Sequence, residues 1–340
     1  MNLDTIRDTK ILRRLVTIPV IVLAFFIIIP AMVLIAPLSV IFDLVRGRPR
    51  LPTLRVALFG CFYLVWDVIA SISAVALWVA SGFGLLLGTR AFIQTHRRIQ
   101  VSWANSLIGA MRVLIGLRLE IEGADCVASG GPVVVFCRHA SIVDTLLPAH
   151  IQSTYGGHDL RYVLKHELLW DPALDLVGNR IPNHFVDRSG TDTAAELARI
   201  GKLASGMDDN ESFTIFPEGS RYTEAKRARA LEKLAESSPQ LLERAQALTR
   251  TMPPRPGGVL TVLSAAEGAD VVIIAHTGLE GLNGPVDLWK AAPIRHPVRI
   301  KVWRIPASEV PAGDAERMDW IFGVWADVND WIVAHLSLDP

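Results

Sequence analysis

The 340 residues exceed one ordinary domain of about 100–200 residues, and 51% of them are hydrophobic, an excess concentrated in roughly the first ninety. Lys and Arg total 34 and so do Asp and Glu, so there is no global field to hold nucleic acid, although local clusters of one sign can steer a protein toward an anionic membrane surface. Cys61, Cys126 and Cys137 lack any C-x-x-C spacing, which excludes a disulfide framework or a zinc site and points to a reducing compartment.

Arg7, Lys10, Arg13 and Arg14 precede the first apolar run, Leu15 to Phe42. That run is too long for the core of a signal peptide and lacks a small-residue cleavage site, so it reads as retained. A second run, Val56 to Thr89, is interrupted only by Asp67. Each exceeds the roughly 20 residues that cross a bilayer core. Pro30 is expected to kink the first, and Gly82, Gly84 and Gly88 in the second would let helices approach closely.

Basic residues also stand between the runs, at Arg46, Arg48, Arg50 and Arg55, and after them, at Arg90, Arg97 and Arg98. Two full crossings would put the middle cluster on the side opposite the others, against the tendency of Lys and Arg to stay cytoplasmic. The charge placement therefore favours a kinked hairpin dipping into one leaflet. Residues 92–117 repeat apolar side chains at helical spacing, with Arg97, Arg98 and Arg112 between them. An amphipathic helix at the membrane interface and a core helix covering the next domain both fit.

From Leu117 the pattern changes to β-type runs at Leu117–Ile121, Val133–Cys137, Arg161–Leu164, Ser212–Ile215, Val271–Ala275 and Val298–Ile305. Helical stretches lie near 142–150, 192–204, 223–248 and 314–336. The alternation predicts an α/β domain with a mixed, largely buried sheet flanked by helices, spanning 117–340 behind a membrane-anchoring region at 1–116. In the last helix Ile321, Val324, Trp325, Val328, Ile332 and Leu336 form one stripe expected to pack on the domain.

Three blocks carry chemistry. Arg138, His139, Ala140, Ser141, Ile142, Val143 and Asp144 follow the run Val133–Cys137 in an H-x-x-x-x-D arrangement. Ser141 with Asp144 three residues on can be a plain capping box that starts a helix. The same spacing lets the His139 imidazole fold back onto the Asp144 carboxylate, which would fix its tautomer and leave the other nitrogen as a base. Next, Asn183 to Arg188 is a short β-type run ending in an arginine that could hold a phosphate bidentately. Finally Phe216, Pro217, Glu218, Gly219, Ser220 and Arg221 follow Ser212–Ile215, where the carboxyl edge of a sheet usually binds ligands; a turn with a solvated ion pair is the plainer reading.

In this order the blocks resemble the glycerolipid acyltransferase family, over about residues 117–310. Weaker echoes of its lysophosphatidate branch are Pro254, Arg255, Pro256, Gly257, Gly258 and the R-I-P-x-x-x-V-P pattern ending at Pro311. The resemblance implies that His139 and Asp144 catalyse, that Arg188 contacts the acceptor phosphate, and that Glu218, Gly219 and Arg221 shape the acceptor site, with Ser220 and Arg255 taken as further substrate-binding candidates. Two residues depart from the family pattern. Arg138 replaces an Asn and puts a cation beside the base, where it is expected to influence the acceptor. His276 stands where a Pro is expected; it is given no role and reads as a core or loop histidine.

The implied reaction moves a fatty-acyl group from acyl-CoA or acyl carrier protein to a membrane lipid acceptor, 1-acyl-sn-glycerol 3-phosphate, for phospholipid synthesis. Glycerol 3-phosphate, another lysophospholipid or a glycolipid are alternative acceptors. The further rivals are thioester hydrolysis and a catalytically silent membrane protein. With no H-E-x-x-H or His/Cys cluster, no metal or cofactor is expected beyond the thioester co-substrate. With no G-x-S-x-G elbow, no covalent nucleophile is expected either. The catalytic part is placed on the cytoplasmic side of an inner or plasma-type membrane.

Overall fold

The computed structural model describes residues 9–187 and 193–336. The chain forms two compact units, and the division is not a single cut at 117. One unit holds residues 1–117, 163–191 and 288–295, and the other holds 118–162, 192–287 and 296–340.

In the first unit, helix Lys10–Val45 runs unbroken through Pro19, Pro30 and Pro37, where the sequence predicts a kink. Helix Pro52–Ala80 follows. At 1.5 Å rise per residue these are about 54 and 44 Å long, enough to cross a hydrocarbon core of about 30 Å. The buried Asp43 closes the hairpin: its carboxylate accepts from Thr53 N at 2.9 Å, Leu54 N at 3.4 Å and the Thr53 hydroxyl at 2.6 Å, using donors that the start of a helix leaves unpaired. Rather than packing helices together, Gly82 and Gly84 take positive φ in the turns that end the second apolar run.

Residues 163–191 join this unit through an apolar cluster of Ala74, Leu176, Val177 and Ile181 and through a set of buried polar contacts. Helix Pro172–Gly178 carries Asp175, which is fully buried and receives the Arg13 guanidinium on both oxygens at 3.0 and 3.1 Å and Arg14 at 3.1 and 3.2 Å. At the same helix's start, Asp171 caps Leu174 N at 2.9 Å and accepts from the Tyr63 hydroxyl, while Asp67 accepts from Ala173 N at 3.1 Å. Asp67, the single interruption of the apolar run, thus satisfies a helix-terminal donor.

Helix Arg90–Ala110 continues as a wider turn, Met111–Ile115, and stops at Gly116. Gly116 has φ +80°, and a Cβ there would lie 3.0 Å from Pro293 Cβ and 3.2 Å from the Ile294 carbonyl. Both the conformation and the close approach call for glycine.

The strands are β1 Leu119–Glu122, β2 Val133–Cys137, β3 Asp159–Lys165, β4 Asn183–Val186, β5 Glu211–Ile215, β6 Asp270–Thr277 and β7 Val298–Ile305. They form a mixed seven-stranded sheet of order β1-β7-β6-β2-β5-β3-β4; β4 and the last three residues of β3 fall in the first unit. β2 runs parallel to β5 and β6, β1 to β7 and β3 to β5, whereas β6 and β7 are antiparallel. β2 and β5 are buried throughout and β6 from Val271 on, as expected for central parallel strands covered on both faces. Because β2, β5 and β6 are parallel, their carboxyl ends meet at one edge.

The helical stretch expected over 223–248 is broken. It runs Glu224–Ser237, then a short turn led by Pro239, then Leu242–Ala247, because Pro239 cannot continue the first helix. Helix Asp314–Leu336 buries Ile321, Trp325, Val328 and Ile332 completely, so its stripe packs on the domain.

Candidate active site

The edge formed by the ends of β2, β5 and β6 brings together His139, Asp144, Phe216 to Arg221 and His276. Beyond Cys137 the chain turns through His139 and Ser141 into the short helical turn Val143–Thr145. Ser141 Oγ accepts from Val143 N at 2.8 Å, and Asp144 Oδ2 accepts from Ser141 N at 2.6 Å and from Ala140 N. The capping box therefore forms. His139 Nδ1 also lies 3.3 Å from the same Oδ2. The two readings of the motif coexist: the main-chain N–H groups that start the helix also aim the carboxylate at the imidazole.

A carboxylate oxygen beside Nδ1 assigns the proton to that nitrogen and leaves Nε2 as the basic one. The His139 ring packs against Phe216 with centroids 4.6 Å apart, and the residue is 8% exposed. Asp144 is completely buried. Burial opposes its ionisation, but the His276 ring, the His139 hydrogen bond and the Ser141 N–H outweigh this and hold its carboxyl below the usual range.

Sequence reasoning gave no role to His276, and the structure places it at the other oxygen of Asp144. His276 Nε2 is 3.4 Å from Asp144 Oδ1 and 3.1 Å from the Arg138 carbonyl, and the ring is fully buried. Burial lowers its pKa, opposed by the Asp144 carboxylate beside it. The register of β2 on β6, with Cys137 opposite Ile274, is what carries His276 beside the H-x-x-x-x-D turn. The signal in the sequence was a histidine closing a strand that is otherwise apolar.

Arg138 and Glu218, both expected at the acceptor, are turned inward instead. Arg138 is 1% exposed; its guanidinium donates to the His276 carbonyl at 2.6 Å, to the Arg250 carbonyl at 2.9 Å and to the Glu280 carboxylate. Glu280, likewise missed, is fixed by Thr277 Oγ1 at 3.1 Å and Gly278 N at 2.7 Å. Glu218 accepts from His139 N and Met252 N, both at 3.2 Å, so it ties two loops of the edge together. Its burial outweighs the nearby Arg138 charge and both N–H donors and pushes its pKa up to about 8. The reason in both cases is burial at the end of a central strand, where a charged group is tolerated only when its hydrogen bonds are satisfied internally.

The candidates that remain open are Gly219, Ser220, Arg221 and Arg255. Gly219 has φ +63°, and a Cβ there would meet Arg255 Cδ at 2.6 Å, so the Arg255 side chain folds across the half-buried peptide of the F-P-E-G-S-R turn. Arg255 is exposed and has no side-chain hydrogen-bond partner among the described residues. Arg221 donates to the Asn283 carbonyl at 3.0 Å. Arg188 lies outside the described residues; β4, which leads to it, is present. Cys137 is fully buried, and its thiol is pushed far up by that burial, which makes it a poor nucleophile.

The sequence model of the family described as Acyltransferase matches residues 118–277. An uncharacterised acyltransferase of Schizosaccharomyces pombe is 22% identical over 214 residues, which are 58% of this chain and 58% of that protein. The chain thus spans a little over half the length of that curated relative. The crystal structure of the 1-acyl-sn-glycerophosphate acyltransferase PlsC of Thermotoga maritima aligns with 79% of this chain and 96% of its own, at 13% identity and a TM-score of 0.46.

Proposed function

Because residues 118–277 belong to the acyltransferase family, we propose that the chain transfers a fatty-acyl group from a thioester to the free hydroxyl of 1-acyl-sn-glycerol 3-phosphate, giving phosphatidate. The observation that carries this reading is the His139 Nδ1 to Asp144 Oδ2 contact at 3.3 Å, with the carboxylate anchored by main-chain N–H groups. An alcohol is a weak nucleophile because it keeps its proton, whereas a thioester is already activated, so the missing ingredient is a base.

His139 Nε2 takes the hydroxyl proton as the alkoxide oxygen bonds to the thioester carbonyl carbon. The tetrahedral adduct then expels the thiolate, which recovers the proton from Nε2. Asp144 holds the ring and offsets its transient positive charge. Arg255 and Arg221, with the half-buried backbone of Gly219 and Ser220, supply cations and N–H groups for the acceptor phosphate, and Arg188 is proposed to join them. Arg138 and Glu218 act as positioning residues beneath the base.

The N-terminal hairpin is proposed to sit in one leaflet, which spares the acceptor from leaving the bilayer at a cost of about 0.8 kcal/mol per methylene. Helix Arg90–Ala110 supports this. Its first half, at Ile93, lines a cavity together with Trp78 near the end of the second apolar helix, and the Leu114 carbonyl beyond its far end accepts from Arg55 at the beginning of that helix at 2.9 Å. It therefore accompanies the second apolar helix along much of its length, and a full crossing would draw the exposed Arg98 into hydrocarbon, which is costly. The catalytic unit is proposed to be cytoplasmic.

The test is an acceptor panel. Lysophosphatidate, glycerol 3-phosphate and lysophosphatidylcholine are each offered with palmitoyl-CoA and palmitoyl carrier protein to the purified chain. Fastest conversion of lysophosphatidate to phosphatidate is expected. Equal release of free fatty acid with and without acceptor would make the protein a thioesterase instead.

A further inference from the structure

The first unit contains a cavity of about 790 Å³ among the start of helix Lys10–Val45, the end of helix Pro52–Ala80 and residues 176–182. Its lining has two chemistries. Lys10, Arg14 and Arg180 supply three cations, and Trp78, Leu87 and Ile93 supply an apolar wall.

Among the described residues the charge is not balanced locally. Asp175 is the carboxylate at hand, and it already takes both Arg13 and Arg14. Lys10 is exposed and has no hydrogen-bond or ion-pair partner among the described residues. Arg180 is held in place by Nη1 donating to the Ala74 carbonyl at 2.5 Å and lying 3.1 Å from His96 Nε2. His96 Nδ1 faces the Phe92 carbonyl at 2.7 Å, which puts its one proton there and leaves the ring neutral. Among the described residues, Lys10, Arg14 and Arg180 thus line the cavity with no carboxylate in its wall.

The wall is equally fixed. Trp78 meets the Phe83 ring edge-on at 5.1 Å, and Phe83 adopts a left-handed φ of 56° to make that contact. A Trp at the end of an apolar helix is where the aromatic belt of a membrane interface falls.

We propose that this cavity binds the phosphate of an anionic glycerophospholipid, with one acyl chain lying along Trp78, Leu87 and Ile93. The cations match a phosphate, and the apolar wall suits a tethered chain rather than a free ion. The lipid is held and not acylated here, because His96, the imidazole beside the cations, has both nitrogens engaged. The site would anchor the hairpin preferentially in anionic bilayer, independently of the acyl-transfer reading.

The experiment measures binding of dioleoyl phosphatidylglycerol, dioleoyl phosphatidylcholine and inorganic phosphate to the full chain in neutral detergent, by native mass spectrometry. Wild type is expected to retain phosphatidylglycerol well above phosphatidylcholine. Lys10→Gln should weaken phosphatidylglycerol about fivefold, the contribution of one charge near a lipid phosphate. Its melting temperature should not move, since Lys10 makes no bond in the fold. Trp78→Ala should weaken the lipid and leave inorganic phosphate unaffected. Equal retention of the two lipids, unchanged binding by Lys10→Gln, or displacement of the lipid by inorganic phosphate would each overturn the proposal. None of these outcomes depends on whether the chain transfers acyl groups.

Discussion

Asp144 and His276 share a buried contact of 3.4 Å between Oδ1 and Nε2, on the side of the carboxylate opposite His139. The neighbours of Nε2 are a carboxylate oxygen and the Arg138 carbonyl, both acceptors, so Nε2 carries the ring proton. Oδ1 has no hydrogen-bond partner, so the His276 contact is an electrostatic approach, while the Nε2–H is aimed at the Arg138 carbonyl at 3.1 Å. His276 therefore positions Asp144, which in turn positions the base.

Replacing His276 by Leu should remove the ring beside Oδ1 and leave the Arg138 carbonyl without the Nε2–H. A buried acceptor left unpaired costs about 1–3 kcal/mol, so the thermal midpoint should fall. Rotation of the freed carboxylate should lower kcat while KM for the acceptor stays nearly constant. His276→Gln keeps an N–H donor and should recover part of kcat. A merely structural residue would move the melting temperature without this split between kcat and KM.

Arg138→Ala is expected to be more damaging. It abandons the His276 and Arg250 carbonyls and leaves Glu280 without its cationic partner, though Thr277 and Gly278 still donate to it. Breaking such a pair should cost on the order of 2–3 kcal/mol, toward the low side for a buried pair because Glu280 keeps some contact with water. Arg138→Lys should rescue little, since an ammonium cannot reach acceptors arranged around a planar fork. Urea denaturation of the three proteins checks both statements.

Much of this site was legible in the chain because its key contact is local. His139 and Asp144 lie on one turn, and the capping chemistry of Ser141 fixes their geometry wherever the turn occurs. The β-type runs also reappear as strands, since apolar stretches of that length between turn residues leave few options. His276, Glu280 and the inward turn of Arg138 were not legible. They depend on β6 pairing beside β2, a long-range register that no local pattern encodes. The attachment of residues 163–191 to the N-terminal helices was hidden for the same reason. It involves Arg13 and Arg14 meeting Asp175, and Ala74 packing with Leu176, Val177 and Ile181, all far apart along the chain.

Glu218 gives a pH signature. Its folded-state pKa of about 8 lies above its ordinary 4.5, so the native chain keeps a proton that the unfolded chain releases. Its effect is nil below about 4.5, where both states are protonated. As pH rises from there to about 8 it makes stability decline, and above that the loss is complete. Glu218→Gln cannot ionise and should abolish that decline, although it gives up one acceptor and so loses about 1 kcal/mol at low pH. The check is the pH dependence of the difference in urea midpoint between the two proteins. A difference that does not change between pH 4.5 and 8 would show that Glu218 is charged in the fold.

Placement of the hairpin makes a separate prediction. Arg50 is exposed in the turn between the two apolar helices. In cells carrying Arg50→Cys, a membrane-impermeant maleimide should label this position only after the membrane is opened, with the parent chain and its own cysteines as background. Labelling of intact cells would mean that the helices cross the bilayer.

The most direct measurement compares wild type, His139→Ala and Asp144→Asn in the transfer of a radiolabelled acyl group from acyl-CoA to lysophosphatidate, with circular dichroism confirming that all three are folded. With His139 as the general base, His139→Ala should lower kcat by about 10² to 10⁴, Asp144→Asn should fall between it and wild type, and no protein should carry label on a denaturing gel. Undiminished transfer by His139→Ala, or label retained covalently on the wild-type chain, would contradict the mechanism.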